Sequence, residues 1–224
     1  MRNSKFADRL NQSGTTASYT LSFFTKLIQE IMSYKETLSF FAIAITLAAF
    51  IPYIREIFRG SIRPHFFSWV IWAVTTLLIF LAQLEDNGGA GTWPIGVSAG
   101  ITFFIAYLAF QKRADITITR MDWLFFVSAL LSLPLWYWTS DPLWAVVLLT
   151  AIDVAGFGPT IRKAYQSPYS ESIQFFALFT LRNVLVMLAL ENVSVTTALF
   201  PVAMAVICIF MMTMLAYRRK AVPV

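Results

Sequence analysis

The feature that most constrains this chain is a series of long apolar runs separated by short polar segments. A transmembrane helix needs about 20 mostly apolar residues, and most of the runs approach that length. Strands are excluded because the runs lack two-residue alternation and only closed barrels cross a bilayer as strands. The sequence therefore predicts an all-α membrane protein with seven transmembrane helices, at residues 37–53, 66–84, 93–110, 123–138, 143–161, 173–190 and 195–217.

Composition agrees with lipid as the solvent of this chain. Hydrophobic residues make up 58% of the chain and charged residues 13%, against about 45–50% and about 25% in soluble domains. In a soluble protein the net charge of +5 would suggest nucleic acid as a partner. In a membrane protein Lys and Arg collect in the cytoplasmic loops. We therefore expect a lipid bilayer, and not nucleic acid, as the partner of the basic residues.

The basic residues are concentrated on one side of the predicted bundle. The loops at 85–92, 139–142 and 191–194 contain no Lys or Arg, so they are predicted to lie outside. The N-terminus is then outside and the C-terminus cytoplasmic, although a miscount of one span would invert the first helix. The residues on the predicted cytoplasmic side are Arg55, Arg59, Arg63, Lys112, Arg113, Arg120, Arg162, Lys163, Arg218, Arg219 and Lys220.

Residues 1–36 differ from the rest of the chain. Residues 1–18 are polar and are predicted to be disordered. Residues 19–33 carry apolar side chains at helical spacing, with Lys26 and Glu30 one turn apart on another face. This pattern predicts an amphipathic helix lying in the membrane interface.

An internal repeat emerges when the chain is shifted so that Pro52 falls on Pro159. The same shift aligns Pro94 with Pro201, and it moves spans one to three onto spans five to seven. Because the shift preserves helix direction, it predicts parallel repeats in a 3+1+3 arrangement. Accidental alignment of apolar runs is the alternative. The units are a first three-helix repeat at 37–111, a linker helix at 112–141 and a second three-helix repeat at 142–220.

Two segments of the repeat resemble a known family. Residues 51–61, Ile-Pro-Tyr-Ile-Arg-Glu-Ile-Phe-Arg-Gly-Ser, are similar to the PQ-loop segment of the SWEET and SemiSWEET sugar transporters. Residues 158–165 resemble a second copy. The resemblance implies the 3+1+3 topology and a hinge role for Pro52 and Pro159. Proline removes a backbone hydrogen bond, so a static kink or a helix stop explains the same residues.

The sequence departs from the family where a glutamine normally follows each proline, because Tyr53 and Thr160 stand there. Vitamin-precursor transporters of the PnuC type and the KDEL-receptor family have the same helix arrangement, so the fold alone does not imply a function. The chain also resembles a group of uncharacterised bacterial membrane proteins. That resemblance implies a bacterial inner membrane location.

Two ionisable residues, Asp153 and Arg182, lie well inside apolar runs. Charges in a membrane are costly and mark solute or proton pathways by default. Arg182 is predicted to bind an anionic or carbonyl-bearing solute, since its planar fork suits such groups. Asp153 would be its counter-ion or a proton acceptor, and Asn183 could donate to a substrate hydroxyl. The alternative is a permanent Asp153–Arg182 ion pair that stabilises the second repeat.

Aromatic and hydroxyl side chains complete the predicted substrate site. Trp72 in the first repeat and Phe179 in the second are expected to stack on a sugar or base ring, with packing as the alternative role. Their neighbours one turn earlier are Trp69 and Phe176. The first-repeat counterparts of Asp153, Arg182 and Asn183 are Thr46, Thr75 and Thr76.

The sequence predicts neither a cofactor nor a metal site, and no enzymatic activity. Cys208 and His65 are the single cysteine and the single histidine, and no hydrolase or nucleotide-binding motif is present. We therefore expect a transporter that moves a small polar solute, sugar-like or vitamin-like, by alternating access. The alternative is a receptor or assembly factor with the same fold. The oligomeric state remains open.

Overall fold

A computed structural model of the chain consists of helices joined by short connections. Its backbone is described for residues 2–60, 64, 66–112, 120–166, 168–169 and 171–221, and its side chains for these residues except 2–24, 27–28, 31–33, 121–122, 159–160 and 162–163. The helices are α1 (Arg2–Arg59), α2 (Phe66–Glu85), α3 (Trp93–Gln111), α4 (Arg120–Thr139), α5 (Pro142–Gln166), α6 (Ile173–Ala189) and α7 (Val195–Ala221). A 3-10 turn at Gly89–Thr92 precedes α3.

The lengths and the apolar composition of the helices are typical of a membrane protein. Within the described residues, four are long and apolar enough to cross a bilayer: Tyr34–Arg59, Phe66–Glu85, Gly89–Gln111 and Val195–Ala221. Three apolar helices are shorter, at Trp123–Thr139, Pro142–Gly158 and Ile173–Ala189. Each coincides with a predicted apolar run to within a few residues, so the all-helical prediction is confirmed.

The first helix differs from the prediction at its beginning. Residues 1–18 were expected to be disordered and residues 19–33 to form a separate interfacial helix, but α1 runs without interruption from Arg2 to Arg59. No proline occurs before Pro52, so nothing in the segment forces a break. The apolar part of α1 begins at Tyr34, close to the predicted start. The amphipathic pattern of residues 19–33 rests mostly on side chains outside the described residues.

Large apolar side chains cover the outer surface of the bundle. Phe40 on α1, Leu131 on α4 and Val206 on α7 are each more than half exposed. Trp93 and Trp138, which lie at the ends of predicted spans, are also exposed, at 57% and 83%. A monomeric soluble protein rarely exposes contiguous apolar patches of this extent, whereas lipid tails would cover them.

We call α1, α2 and α3 the first group of helices, and α5, α6 and α7 the second group. In the first group α1 and α2 both contact α3, and in the second group α5 and α6 both contact α7. Between the groups, α1 packs on α6 and α2 packs on α5. Helix α4 lies against α5 and α2. The space between the groups contains a cavity.

Candidate functional site

A cavity of about 260 Å³ lies between the two groups of helices. Six helices line it, and its walls combine aromatic rings with a small number of polar groups, as ligand pockets do. A larger groove of about 660 Å³ is open on the outer surface beside α5 and α7 and contains neither buried charge. The cavity is lined by Phe50, Trp69, Trp72, Thr76, Ser98, Thr102, Asp153, Gly156, Phe157, Glu171, Phe175, Phe176, Phe179, Arg182, Asn183, Phe200, Met204 and Cys208.

Arg182 is buried at the centre of α6 and is held by neutral acceptors. Its Nη2 donates to the Pro94 carbonyl and to Ser98 Oγ, both at 2.9 Å. Its Nη1 donates to Asn183 Oδ1 at 2.9 Å, and its Nε to Thr46 Oγ1 at 3.3 Å. A guanidinium has five N–H groups, so one on Nη1 has no partner among the described residues. The cation is thus oriented firmly but not neutralised.

Asp153 is buried on α5 and forms a single hydrogen bond. Its Oδ1 accepts from Thr75 Oγ1 on α2 at 3.0 Å. Its Oδ2 accepts no hydrogen bond from the described part of the chain, and no ion pair joins Asp153 to Arg182 there. The permanent Asp153–Arg182 ion pair, the alternative considered from sequence, is therefore not formed. Each charge is instead held by a threonine of the other group of helices.

The two contacts are equivalent under the predicted repeat. Asp153 is aligned with Thr46, and Arg182 with Thr75. The Arg182–Thr46 bond joins α6 to α1, and the Asp153–Thr75 bond joins α5 to α2. Exchanging the groups therefore turns one contact into the other. The two contacts occupy corresponding positions, and in each the charged member comes from the second repeat.

Asn183 has a structural task that its sequence position did not indicate. From the sequence it was proposed as a donor to a substrate hydroxyl, and in the structure its Oδ1 accepts a hydrogen bond from Arg182. Its Nδ2 donates to the Phe179 carbonyl one turn earlier at 2.8 Å. Asn183 lines the cavity and at the same time fixes the guanidinium. Thr76 also lines the cavity, whereas Thr75 acts through Asp153.

Aromatic side chains form one wall of the cavity, which we call the aromatic wall: Phe50, Trp69, Trp72, Phe175, Phe176 and Phe179. The ring centroids of Trp72 and Trp69 are 5.2 Å apart, and those of Trp69 and Phe50 are 6.5 Å apart. Phe50 lies 5.7 Å from Phe179, which links the two predicted stacking pairs. Most of these contacts are edge-to-face, an arrangement that stabilises the wall. The rings therefore pack on one another and also line the cavity.

Gly156 lies on α5 beside this wall, at a distance that would also accommodate a Cβ atom. A side chain at position 156 would begin 3.6 Å from Trp72 Nε1. Trp72 itself is 37% exposed and lies at the edge of the cavity.

The hinge prolines lie within helices, which excludes one of the readings considered from sequence. Helix α1 continues past Pro52 to Arg59, and α5 continues past Pro159 to Gln166. Neither proline is a helix stop. A hinge or a static kink stays a prediction for both, and the side chain of Pro159 lies outside the described residues.

Several residues that build the site were not selected from sequence. Ser98 and the Pro94 carbonyl, both on α3, hold Arg182. Phe50 joins the two halves of the aromatic wall, and Cys208 also lines the cavity. Serine and small residues in an apolar helix are ambiguous signals, because they also allow helices to pack closely.

The cavity extends toward one end of the bundle. It reaches from Arg182 to Glu171, which lies just before the start of α6. The basic residues Arg218 and Arg219 are at the same end, where Arg219 donates to the Glu171 carbonyl at 2.7 Å. The cavity therefore occupies the half of the bundle nearest the basic loops.

At the opposite end, two loops are joined to each other. We call this contact the latch, formed by residues 86–92 between α2 and α3 and by residues 190–194 between α6 and α7. Glu191 donates its backbone N–H to the Gly88 carbonyl at 3.0 Å. Its Oε1 accepts from the Ala90 N–H at 3.1 Å.

Further contacts in the latch come from polar side chains. Asp86 accepts through its carbonyl from Asn192 Nδ2 at 2.8 Å, and through its carboxylate from Ser194 Oγ. Lys35 at the start of the apolar part of α1 donates to the Leu190 carbonyl at 2.7 Å. The latch thus connects both groups of helices at this end of the bundle. We call it the acidic end, because its loops carry Glu85, Asp86, Asp141 and Glu191.

Comparisons of the chain with protein-family models, with curated proteins and with solved structures each gave no match. Among the described residues, no group of three or more His, Cys, Asp and Glu side chains is arranged to hold a metal ion.

Proposed function

We propose that this chain transports a small polar solute across a membrane by alternating access. The observation that carries the proposal is the cavity itself. Two buried charges face it, Asp153 and Arg182, and neither neutralises the other. Charges inside a membrane protein generally mark the path of a solute or proton, because burying them is costly. A cavity of about 260 Å³ corresponds to roughly nine water volumes, which suits a monosaccharide or a molecule of similar size.

The 3+1+3 arrangement of two parallel repeats is part of this proposal. The matching helix contacts support it, since α1 on α6 corresponds to α5 on α2. The equivalent Arg182–Thr46 and Asp153–Thr75 bonds support it independently of helix packing. In transporters built from repeats, the substrate site lies near the midplane between the repeats. The cavity has that position relative to the two groups.

The state of the bundle fits one half of a transport cycle. The cavity extends to the basic end while the latch joins the loops at the acidic end. If the basic end is cytoplasmic, the site opens inward and the latch seals the outside. The N-terminus then lies outside and the C-terminus inside a bacterial inner membrane.

The test is solute uptake by the purified protein in liposomes. The panel contains labelled sugars, nucleosides, vitamins, carboxylates and amino acids, and Arg182→Leu is compared with wild type. Arg120→Leu is the matched control, because Arg120 is exposed on α4 outside the cavity. We expect saturable uptake of one class, reduced at least tenfold by Arg182→Leu, about 1.4 kcal/mol, and unchanged by Arg120→Leu.

Binding without uptake would overturn the transport proposal and favour a receptor. Thermal stabilisation by the same panel separates these outcomes, since a ligand stabilises the folded state by a free energy that grows with the logarithm of its concentration over its dissociation constant. Stabilisation by a solute that does not enter the liposomes identifies a receptor. Uptake that Arg182→Leu leaves unchanged, in a folded variant, shows that the solute uses a different path.

A further inference from the structure

The two charges in the cavity differ from ordinary buried charges in how they are held. Among the described residues, Arg182 donates only to neutral acceptors, and Asp153 accepts only from the Thr75 hydroxyl. Both line the same cavity without touching each other. A buried charge is normally stabilised by an opposite charge or a metal ion. Within the described residues, both positions are therefore incomplete, one for an anion and one for a cation.

Each of the two charged side chains also has an atom that could bind a ligand. Within the described part of the chain, one N–H on Arg182 Nη1 has no acceptor and Asp153 Oδ2 has no donor. The threonines on the other group of helices hold the two side chains in separate places. A guanidinium suits a carboxylate, and a carboxylate suits an ammonium group.

The space around the charges is apolar and aromatic. The aromatic wall and Met204 line the cavity beside the two charged side chains. Aromatic faces attract a cation through the ring quadrupole, and they cover the apolar body of a ligand. The ligand is thus expected to have charged ends and an apolar or aromatic body of roughly ten non-hydrogen atoms, as the volume of about 260 Å³ allows.

We propose that the solute is a small zwitterion, such as an aromatic amino acid, whose carboxylate binds Arg182 and whose ammonium group binds Asp153. This inference rests on the transport function proposed above and specifies its substrate class. A zwitterion neutralises both charges at once. A singly charged ligand neutralises one and leaves the other, and a neutral sugar leaves both. The predicted sugar-like substrate is therefore the less favoured choice.

The test compares ligands that differ only in charge, on wild-type protein in detergent. One series is phenylalanine, phenethylamine and 3-phenylpropionate. The other is 4-(aminomethyl)benzoate, benzylamine and 4-methylbenzoate, in which the two charges lie further apart. Dissociation constants are measured by calorimetry. We expect one zwitterion to bind at least tenfold more tightly than both of its singly charged relatives and than glucose.

Two variants then test which end of the zwitterion each charged side chain binds. Asp153→Asn keeps the size of the side chain, and we expect it to remove the advantage of the zwitterion over its carboxylate-only relative. Arg182→Gln is expected to remove the advantage over the amine-only relative. Glu85→Gln, at an exposed acid outside the cavity, is the matched control and should leave all constants unchanged. If either site variant fails to fold, the wild-type ligand series decides alone.

The outcomes separate this inference from the transport proposal. A zwitterion that binds but does not enter liposomes supports the substrate class and overturns transport. Uptake of a sugar, nucleoside or singly charged solute, with zwitterions weaker in both series, overturns the substrate class and leaves transport standing. No binding and no uptake of any ligand overturns both.

Discussion

Arg182 shows how a single residue is made compatible with an apolar helix. The guanidinium donates to two side-chain hydroxyls, one amide oxygen and one backbone carbonyl, which come from three helices. These bonds satisfy four of its five N–H groups but do not cancel its charge. A residue selected for stability alone would be better replaced by a packed apolar side chain, because desolvating a charge can exceed what its contacts return. Its burial beside a cavity is better explained by ligand binding.

A stability measurement distinguishes the two explanations for Arg182. We expect Arg182→Met to lower the free energy of unfolding by no more than about 2 kcal/mol, because interhelical hydrogen bonds in membrane proteins average about 0.6 kcal/mol each and the substitution removes a desolvated charge. Asp153→Asn should have a similarly small effect. Reversible unfolding in mixed micelles measures both. A loss of about 3–5 kcal/mol, as for breaking a buried ion pair, would contradict this view.

The latch is the element that joins the loops at the acidic end. Its loops approach backbone to backbone at Gly91, where a side chain would begin 2.6 Å from the Leu190 nitrogen. Gly89 adopts a φ of +62°, which L side chains rarely take, and Glu191 occupies the adjacent space. The contact therefore depends on glycine at two positions. Opening it breaks the hydrogen bonds between the loops and also exposes Ala90 and Leu190, which are buried in the closed contact.

Weakening the latch is expected to expose the cavity from the acidic side. Cys208 is the single cysteine, it is 2% exposed, and it lines the cavity, so it reports access to the site. We expect Asp86→Ala with Glu191→Ala to raise the rate at which an impermeant thiol reagent modifies Cys208 from outside by at least fivefold. Labelling of intact spheroplasts measures this rate.

Two controls accompany the latch experiment. Glu85→Ala removes an exposed acid beside the latch and should leave the rate unchanged. Cys208→Ala should abolish labelling. An unchanged rate in the double variant, with the protein folded, would show that the latch does not control access.

The two ends of the molecule differ in charge, because acidic residues lie in the loops at one end and basic residues at the other. The acidic end carries the latch, and the basic end carries Lys112, Arg218 and Arg219, to which the cavity extends. Basic loops stay in the cytoplasm when helices insert. The basic residues near the beginning of α1 oppose this rule for the first helix alone. However, Lys35 donates to the Leu190 carbonyl in the latch, so the start of the apolar part of α1 shares the acidic end.

The membrane topology is tested with single cysteines that are introduced into the Cys208→Ala variant, which contains no other cysteine. We expect Glu36→Cys and Asp141→Cys to react with an impermeant reagent in spheroplasts, because both residues lie at the acidic end. Lys112→Cys should react only after the membrane is permeabilised. Lys112 reacting in spheroplasts, with the other two protected, would reverse the orientation. Protection of Glu36→Cys alone would invert only the first helix.

Most of the fold could be predicted from hydrophobicity, since a backbone in lipid must satisfy its hydrogen bonds within helices. The predicted runs at 66–84 and 93–110 match α2 and α3 to within one residue. The start of α1 could not be predicted in the same way. Residues 1–18 are polar and residues 19–33 are amphipathic, and neither pattern shows whether one helix continues or a new one begins.

The candidate site also contains some residues that the sequence could predict and others that it could not. Asp153 and Arg182 stand out in the sequence because a charge in an apolar run is costly wherever it finally lies. Their partners could not be read from the chain, because Thr46, Thr75 and Ser98 are ordinary residues that matter only through contacts between distant helices. Hydrophobicity is a local property of a segment and therefore predicts helices. Which side chain meets which depends on how those helices pack, and only the tertiary structure separates the two charges and opens a cavity between them.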